Sequence, residues 1–299
     1  MYFPVAGIEV SVWVPPVVAF CVSFCTSMGG VSGAFLLLPF QLSVLGYASP
    51  SVSATNQVFN IVATPGGVWR YIQEKRMVWP LALTTALGTL PGVFLGAWVR
   101  VRYLPDARHF KLFAACVLVF IGLRLARDVL VRKTGSTRCT PRNMNQAELT
   151  VSMAACTARR VRFAFQGEIC SFSTVGVLLM SFVVGIVGGV YGIGGGAIIA
   201  PFLVAFFGLP VYAVAGATLL GTLLTSIFGV AFYQAMAPFH PGLAVAPDWV
   251  LGALFGLGGF AGMYAGARCQ RYVPAWCIKG FLSACILFLA VRYVLEFLH

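Results

Sequence analysis

Two glycine clusters are the first candidates for chemistry in this chain: Gly29-Gly30-Val-Ser32-Gly33 and Gly192-Ile-Gly194-Gly195-Gly196. Each sits inside apolar sequence and is followed by a run that reaches a proline, Pro39 or Pro201. Glycine allows backbone shapes closed to other residues. Each cluster therefore predicts a helix that stops and restarts. The restarted helix presents free N–H groups and the positive end of its dipole, which together hold an anion without a fixed charge. Gly30, Ser32, Gly33, Gly192, Gly194, Gly195 and Gly196 are candidate binding residues on this ground. The plainer reading of Gly192 and Gly196 is close helix packing at small-residue spacing.

Uncharged polar residues follow each cluster. Asn56, Asn60 and Thr64 fall at i, i+4 and i+8, with Gln57 alongside, so the three share one helical face. In the second half the matching face carries Thr218, Thr222 and Ser226, with Thr225 beside it. Amides and hydroxyls can donate to an oxyanion, which makes Asn56, Asn60, Thr218 and Thr222 candidate ligands. Ordinary hydrogen bonding between helices is the competing explanation.

Catalytic chemistry finds little support. His109, His240 and His299 are far apart in sequence, and the apolar segments hold no carboxylate pair. The nine cysteines show no metal-site spacing; Cys21, Cys25, Cys116, Cys269, Cys277 and Cys285 read as small core residues, Cys139, Cys156 and Cys170 fall in the central loop without support for a disulfide, and no metal or cofactor is expected. Asp248 stands just before an apolar run that opens with Trp249 and reads as a helix N-cap. Proton coupling commonly leaves a mid-span Asp, Glu or His, and none is evident. An integral membrane enzyme or accessory subunit is the weaker alternative.

The elements that must position these residues are membrane helices. The chain is 60% hydrophobic and only 9% charged, with mean hydropathy +0.91. No Asp, Glu, Lys or Arg occurs between Glu9 and Arg70, or from Thr174 through Pro247. Each gap exceeds the roughly 20 residues that one crossing needs. In lipid every backbone group must be satisfied internally, and the absence of period-two alternation excludes barrel strands, leaving an all-α polytopic bundle. The net charge of +12 reads as loop cations orienting the chain rather than as a nucleic-acid surface. The N-terminus lacks a basic n-region and carries Glu9, which does not fit a cleaved signal peptide.

Apolar segments are expected at about Val12–Leu45 (interrupted), Ser51–Trp69, Val78–Val99, Phe110–Leu125, Val175–Phe207 (interrupted), Val211–Met236, Trp249–Ala267 and Cys277–Phe297. The two halves match. A shift of 162 puts Gly30 on Gly192, Gly33 on Gly195, Pro39 on Pro201, Gly67 on Gly229 and Tyr71 on Tyr233. A shift of 170 puts Gly92 on Gly262 and Gly96 on Gly266. An internal repeat follows, with residues 1–130 and 173–299 as two transmembrane repeats and 131–172 as a polar, basic linker. Two alternating runs about Gln166-Gly167 suggest a hairpin within that linker.

Loop cations suggest the topology. Arg70, Lys75 and Arg76 should share a side with the basic linker, and that side is the cytoplasm by the positive-inside rule. The pattern fits if each interrupted segment is re-entrant and returns to its starting side. Each half then crosses three times, the second half is inverted, and both termini lie outside. Arg100, Arg102, Arg108 and Lys111 stand against this arrangement, because it places that basic loop outside.

The residues Gly188-Gly-Val-Tyr-Gly-Ile-Gly-Gly-Gly-Ala-Ile-Ile-Ala-Pro201, Ala215-Gly-Ala-Thr218, Pro247-Asp-Trp249, Gly256-Leu-Gly-Gly259 and Gly262-Met-Tyr-Ala-Gly-Ala267 resemble the sulfite exporter family of TauE/SafE-like membrane permeases. The resemblance spans nearly the whole chain. It implies a multi-pass transporter of the bacterial or archaeal inner membrane that exports sulfite, a sulfonate or a related sulfur anion. The two half-sites depart from each other: Ser32 stands where the second half has Gly194, and Asn56 where it has Thr218. Alternating access between the halves is the expected mechanism, with an importer or channel for similar anions as the alternative. The expected partners are the anion and the lipid bilayer, with no nucleic acid; a homo-oligomer is compatible with the sequence.

Overall fold

A computed structural model describes residues 1–28, 32–73, 77–130, 151–156, 160–165, 168–209, 211–269 and 275–298. The first half holds α1 (Val14–Met28), α2 (Ala34–Ser43), α3 (Ser51–Ala63), α4 (Pro65–Gln73), α5 (Trp79–Arg102) and α6 (Ala107–Leu130). The second holds α7 (Thr174–Tyr191), α8 (Gly195–Phe207), α9 (Val211–Met236), α10 (Trp249–Cys269) and α11 (Ala275–Leu298). Among the described residues, four helices are long and apolar enough to cross a membrane: Trp79–Arg102, Thr174–Tyr191, Val214–Phe239 and Trp249–Gly266. The chain is an all-α helical membrane protein with few strands.

Both interrupted segments are broken helices. α7 ends on Gly192, whose φ of 78° and ψ of 22° are left-handed, and Gly192 N–H closes on Gly188 O at 2.9 Å. α8 restarts behind Gly194, at φ 77° and ψ 140°. In the first half α1 ends at Met28 and α2 begins behind Gly33. The segment expected as one piece over Ser51–Trp69 is instead two helices. Pro65 has no N–H to continue the ladder, and the Thr64 hydroxyl takes Asn60 O at 2.7 Å, so α4 starts afresh at Pro65.

Close approaches at glycine set the helix directions. Added Cβ atoms at Gly88, Gly92 and Gly96 of α5 would strike α7 in turn at Leu178, Phe182 and Ile186, so α5 and α7 run parallel. Gly258, Gly262 and Gly266 of α10 meet Pro16, Phe20 and Phe24 of α1 in the same way. The broken helix of each half therefore packs on the third spanning element of the other half, backbone against backbone, as small residues at fourfold spacing allow. α9 runs antiparallel to α3–α4, since Gly229 meets Gln57 while Gly216 meets Tyr71. α10 runs parallel to α3, with Gly252 on Val58 and Gly256 on Val62. α3–α4 and α9 thus point in opposite directions.

The same contacts show that both broken pairs turn back. Phe207, at the end of α8, lies against Gly176 near the start of α7. Ser43, at the end of α2, bonds the Tyr293 hydroxyl at 3.0 Å near the end of α11. Lys111 Nζ meets Glu296 at 2.7 Å, and Ser51 N–H donates to Ala244 O at 2.9 Å. The starts of α3, α6 and α10 and the ends of α2, α5 and α11 consequently share one face, as do both termini. Three of the four cations in the basic segment that stands against this topology have partners or burial: Arg108 donates to Phe297 O at 2.8 Å, Lys111 is paired, and Arg100 is buried, while Arg102 is exposed. The first three tie helix ends together.

The hairpin expected about Gln166-Gly167 is seen on both flanks, as β4 (Arg160–Phe165) antiparallel to β5 (Glu168–Ser173) with Phe165 opposite Glu168; residues 166–167 lie outside the described residues. A third strand, β3 (Val151–Cys156), pairs with β4. Val161, Phe163, Cys170 and Phe172 alternate onto one buried face. β5 runs directly into α7, whose first turn is capped by Ser173 Oγ accepting Gly176 N–H at 3.3 Å.

Asp248 is the expected N-cap of α10: its Oδ1 accepts Leu251 N–H at 3.0 Å, and its Oδ2 accepts Ala6 N–H at 3.4 Å. Asp248→Ala should destabilise the protein by about 0.5–2 kcal/mol, whereas Asn, an equally good cap, should be nearly neutral. Thermal unfolding in detergent reads both; equal midpoints for the two variants would show that the cap contributes nothing.

Candidate functional site

The glycine break between α7 and α8 is built for close approach on every side. Gly192 lies on the backbone of Ser53, leaving no room for a Cβ. A Cβ on Gly194 would be 3.0 Å from Ser226 Oγ and 3.0 Å from Thr225 Oγ1. One on Gly195 would be 2.5 Å from Thr89 Cγ2. Gly196 faces Thr218 O and the Thr222 hydroxyl. Packing and polarity coincide here: the glycines let the start of α8 touch the hydroxyls of Thr222, Thr225 and Ser226 on α9, against the Thr89 side chain of α5. Gly194 has no side chain to cap the first N–H groups of α8.

The first break is joined to the second by Asn60. Its Nδ2 donates to Ile193 O at 2.7 Å, and its Oδ1 accepts from Ser32 Oγ at 3.4 Å. Ser32 Oγ also accepts Ala34 N–H at 3.3 Å and so caps α2. Asn56 Nδ2 donates to Ala34 O at 3.0 Å, and the Tyr191 hydroxyl donates to Phe35 O at 2.9 Å. Four bonds thus tie the start of α2 to the break at 192–194 and to the helix between them. Gly33 rests on Ser23 of α1, with a notional Cβ 2.8 Å from its Oγ.

Of the residues singled out in sequence, Ser32, Gly33, Asn56, Asn60, Gly192, Gly194, Gly195, Gly196, Thr218 and Thr222 gather in this buried region. Gly30 lies outside the described residues. Thr218 and Thr222 hydroxyls donate back to Ala215 O at 3.1 Å and Thr218 O at 2.9 Å, leaving their oxygens as acceptors. Asn56 and Asn60 each commit one amide hydrogen to the backbone and keep a second.

Several buried polar atoms near the breaks have no partner among the described residues: Ser226 Oγ, Asn56 Oδ1 and both amide atoms of Gln57. Unpaired polar groups in an enclosed space are costly. Ser226 stands out because its free hydroxyl adjoins Gly194 at the mouth of α8.

Sequence reasoning did not single out Ser53, Thr85 or Thr89. Thr85 and Thr89 are fully buried on α5, bonded to Leu81 O at 2.8 Å and Thr85 O at 2.7 Å; Thr89 faces Gly195 at the start of α8 and Thr85 faces Gly221 of α9. Their signal was hydroxyls at fourfold spacing in an apolar span. The shift of 170 places Phe255 and Gly259 opposite them, so a search for polar residues matched between halves passes over both.

Among the described residues no cluster of three or more His, Cys, Asp or Glu could hold a metal ion. Compared with known proteins, the chain matches the model of one family, described as sulfite exporter TauE/SafE, over residues 16–293. No curated protein and no solved structure matches it.

Proposed function

The chain belongs to the sulfite exporter TauE/SafE family, and from that premise we propose that it exports a small sulfur oxyanion or sulfonate by alternating access, with the anion held where the two helix breaks meet. The family assignment makes it a membrane transporter of sulfur-containing anions; the direction, the mechanism and the residues are the proposal. The observation that carries it is Asn60, which bonds one break with its amide nitrogen and the other with its oxygen.

The physical logic is release as much as binding. A lysine or arginine at mid-span would hold a dehydrated anion tightly. Two helix starts supply partial positive charge of roughly half a unit each. Backbone N–H of Gly195 and Gly196, the second amide hydrogen of Asn60 and the free Ser226 hydroxyl then complete the coordination. α2 and α8 approach from opposite faces, so tilting one against the other exposes the anion to one side or the other. The site is closely packed in this conformation, and loosening of α8 from Thr89 and Thr222 admits the ligand.

Purified protein in liposomes should carry sulfite or a small sulfonate down an imposed gradient. Ser226→Ala removes a donor without adding bulk. One hydrogen bond to a charged ligand contributes about 1.5–3 kcal/mol, so KM should rise about 10- to 100-fold. Absence of flux in the wild type overturns the transport reading. An unchanged KM in the variant overturns this placement of the anion.

A further inference from the structure

Arg100 is a buried cation with no counter-ion among the described residues. It lies near the end of α5 with no exposed surface. Its terminal nitrogens donate to Leu104 O and to Ala48 O, the latter at 3.1 Å, and its plane sits 3.7 Å over the Phe110 ring. Nε has no acceptor. Those two bonds use two of the five N–H groups of a guanidinium. Among the described residues no carboxylate pairs with it; Asp106 faces His109, and Glu296 faces Lys111 and Arg292.

A clamp between two loops does not require a charge. Neutral donors bond carbonyls equally well, and an uncompensated buried ion costs several kcal/mol. The surroundings point to the missing partner. Tyr47 and Tyr233 lie within electrostatic reach of the guanidinium. The Tyr233 hydroxyl donates to Gly189 O at 3.1 Å, three residues before the break at Gly192. Ser53, which touches Gly192, donates to Val190 O at 3.0 Å. The Tyr47 hydroxyl continues to Ser51 at 2.7 Å and Thr55 at 2.9 Å. Two groups of buried hydroxyls, Tyr233 with Ser53 at the glycine break and Tyr47 with Ser51 and Thr55 at the start of α3, thus lie in the neighbourhood of Arg100.

We propose that Arg100 is a second anion station, which takes the sulfur oxyanion or sulfonate between the glycine breaks and the face where the termini lie. This rests on the transport reading above. The oxyanion uses the open N–H groups and competes with Ala48 O and Leu104 O, so its arrival loosens two loops that close that face.

Equilibrium binding of radiolabelled sulfite to the purified full-length protein tests it. The wild type should bind about two sulfites per chain, Arg100→Gln about one, and Gly195→Leu about one, the last retaining the Arg100 station. Arg100→Lys keeps the charge but lacks the planar fork, so its second site should weaken by about tenfold. If Arg100→Gln does not fold, Arg100→Lys carries the comparison, and unaltered binding in it overturns the station. One sulfite per wild-type chain, lost in Gly195→Leu and kept in Arg100→Gln, overturns the station and leaves the transport reading standing. No binding by the wild type overturns both.

Discussion

Gly195→Leu should abolish anion flux in liposomes while the purified protein stays helical and monodisperse. Gly195 is the first residue of α8. A Cβ there would be 2.5 Å from Thr89 Cγ2 and 2.7 Å from its Cβ. Threonine is stiff at χ1, and this one is held by its hydroxyl bond to Thr85 O. The leucine must push the start of α8 off α5, carrying the first N–H groups away from the anion. Loss of two charge-assisted bonds of about 1.5–3 kcal/mol each weakens binding about 100-fold or more. Gly280 of α11 has nothing within 4 Å of a notional Cβ, so Gly280→Leu should transport normally. Wild-type flux in Gly195→Leu, or equal losses in the two variants, would remove the break at 192–196 from the mechanism.

Asn60 is the second position of large effect, and two substitutions separate its roles. Asn60→Leu keeps the volume but leaves Ile193 O without a donor in an enclosed place, at about 1–3 kcal/mol. Both the thermal midpoint and the flux should fall. Asn60→Asp keeps an acceptor for Ser32 Oγ but turns a negative charge toward Ile193 O and toward any arriving anion. Its flux should fall further than that of the leucine variant, even though it retains one of the two bonds. Should Asn60→Asp carry sulfite better than Asn60→Leu, no anion passes this residue and the site belongs elsewhere.

Glycine chemistry made the breaks legible in the sequence, and the scarcity of charge made the all-α membrane bundle legible. Four glycines within five residues leave a helix no way through, and Gly192 and Gly194 adopt the left-handed φ that other residues avoid. Paired helices were harder to read. Gly88, Gly92 and Gly96 announce a close approach without saying to what, because a small-residue stripe fits any backbone. The exchange of broken helices between halves is visible only in three dimensions. Arg100 was misleading for a related reason. A loop cation and a buried cation look alike in sequence, and only its contacts with Ala48, Leu104 and Phe110 distinguish them. β3 escaped notice because its residues, Val151–Cys156, are small and weakly alternating beside the aromatic β4 and β5.

The exchange of broken helices also sets an order of assembly. α7 emerges from the ribosome after its partner α5 is already in the membrane, and can be sealed at once. α1 must wait for α10, whose first residue lies 221 positions after Met28 (249 − 28). At the usual 5–20 residues per second that delay is about 10–45 s, during which Pro16, Phe20 and Phe24 of α1 sit in lipid without the glycine face of α10 that covers them. The N-terminal hairpin is then the last part of the bundle to close. Truncation before α10 leaves α1 without its glycine-faced partner while α2 keeps its bonds to α3 and Tyr191, and such a chain is a natural substrate for membrane quality control.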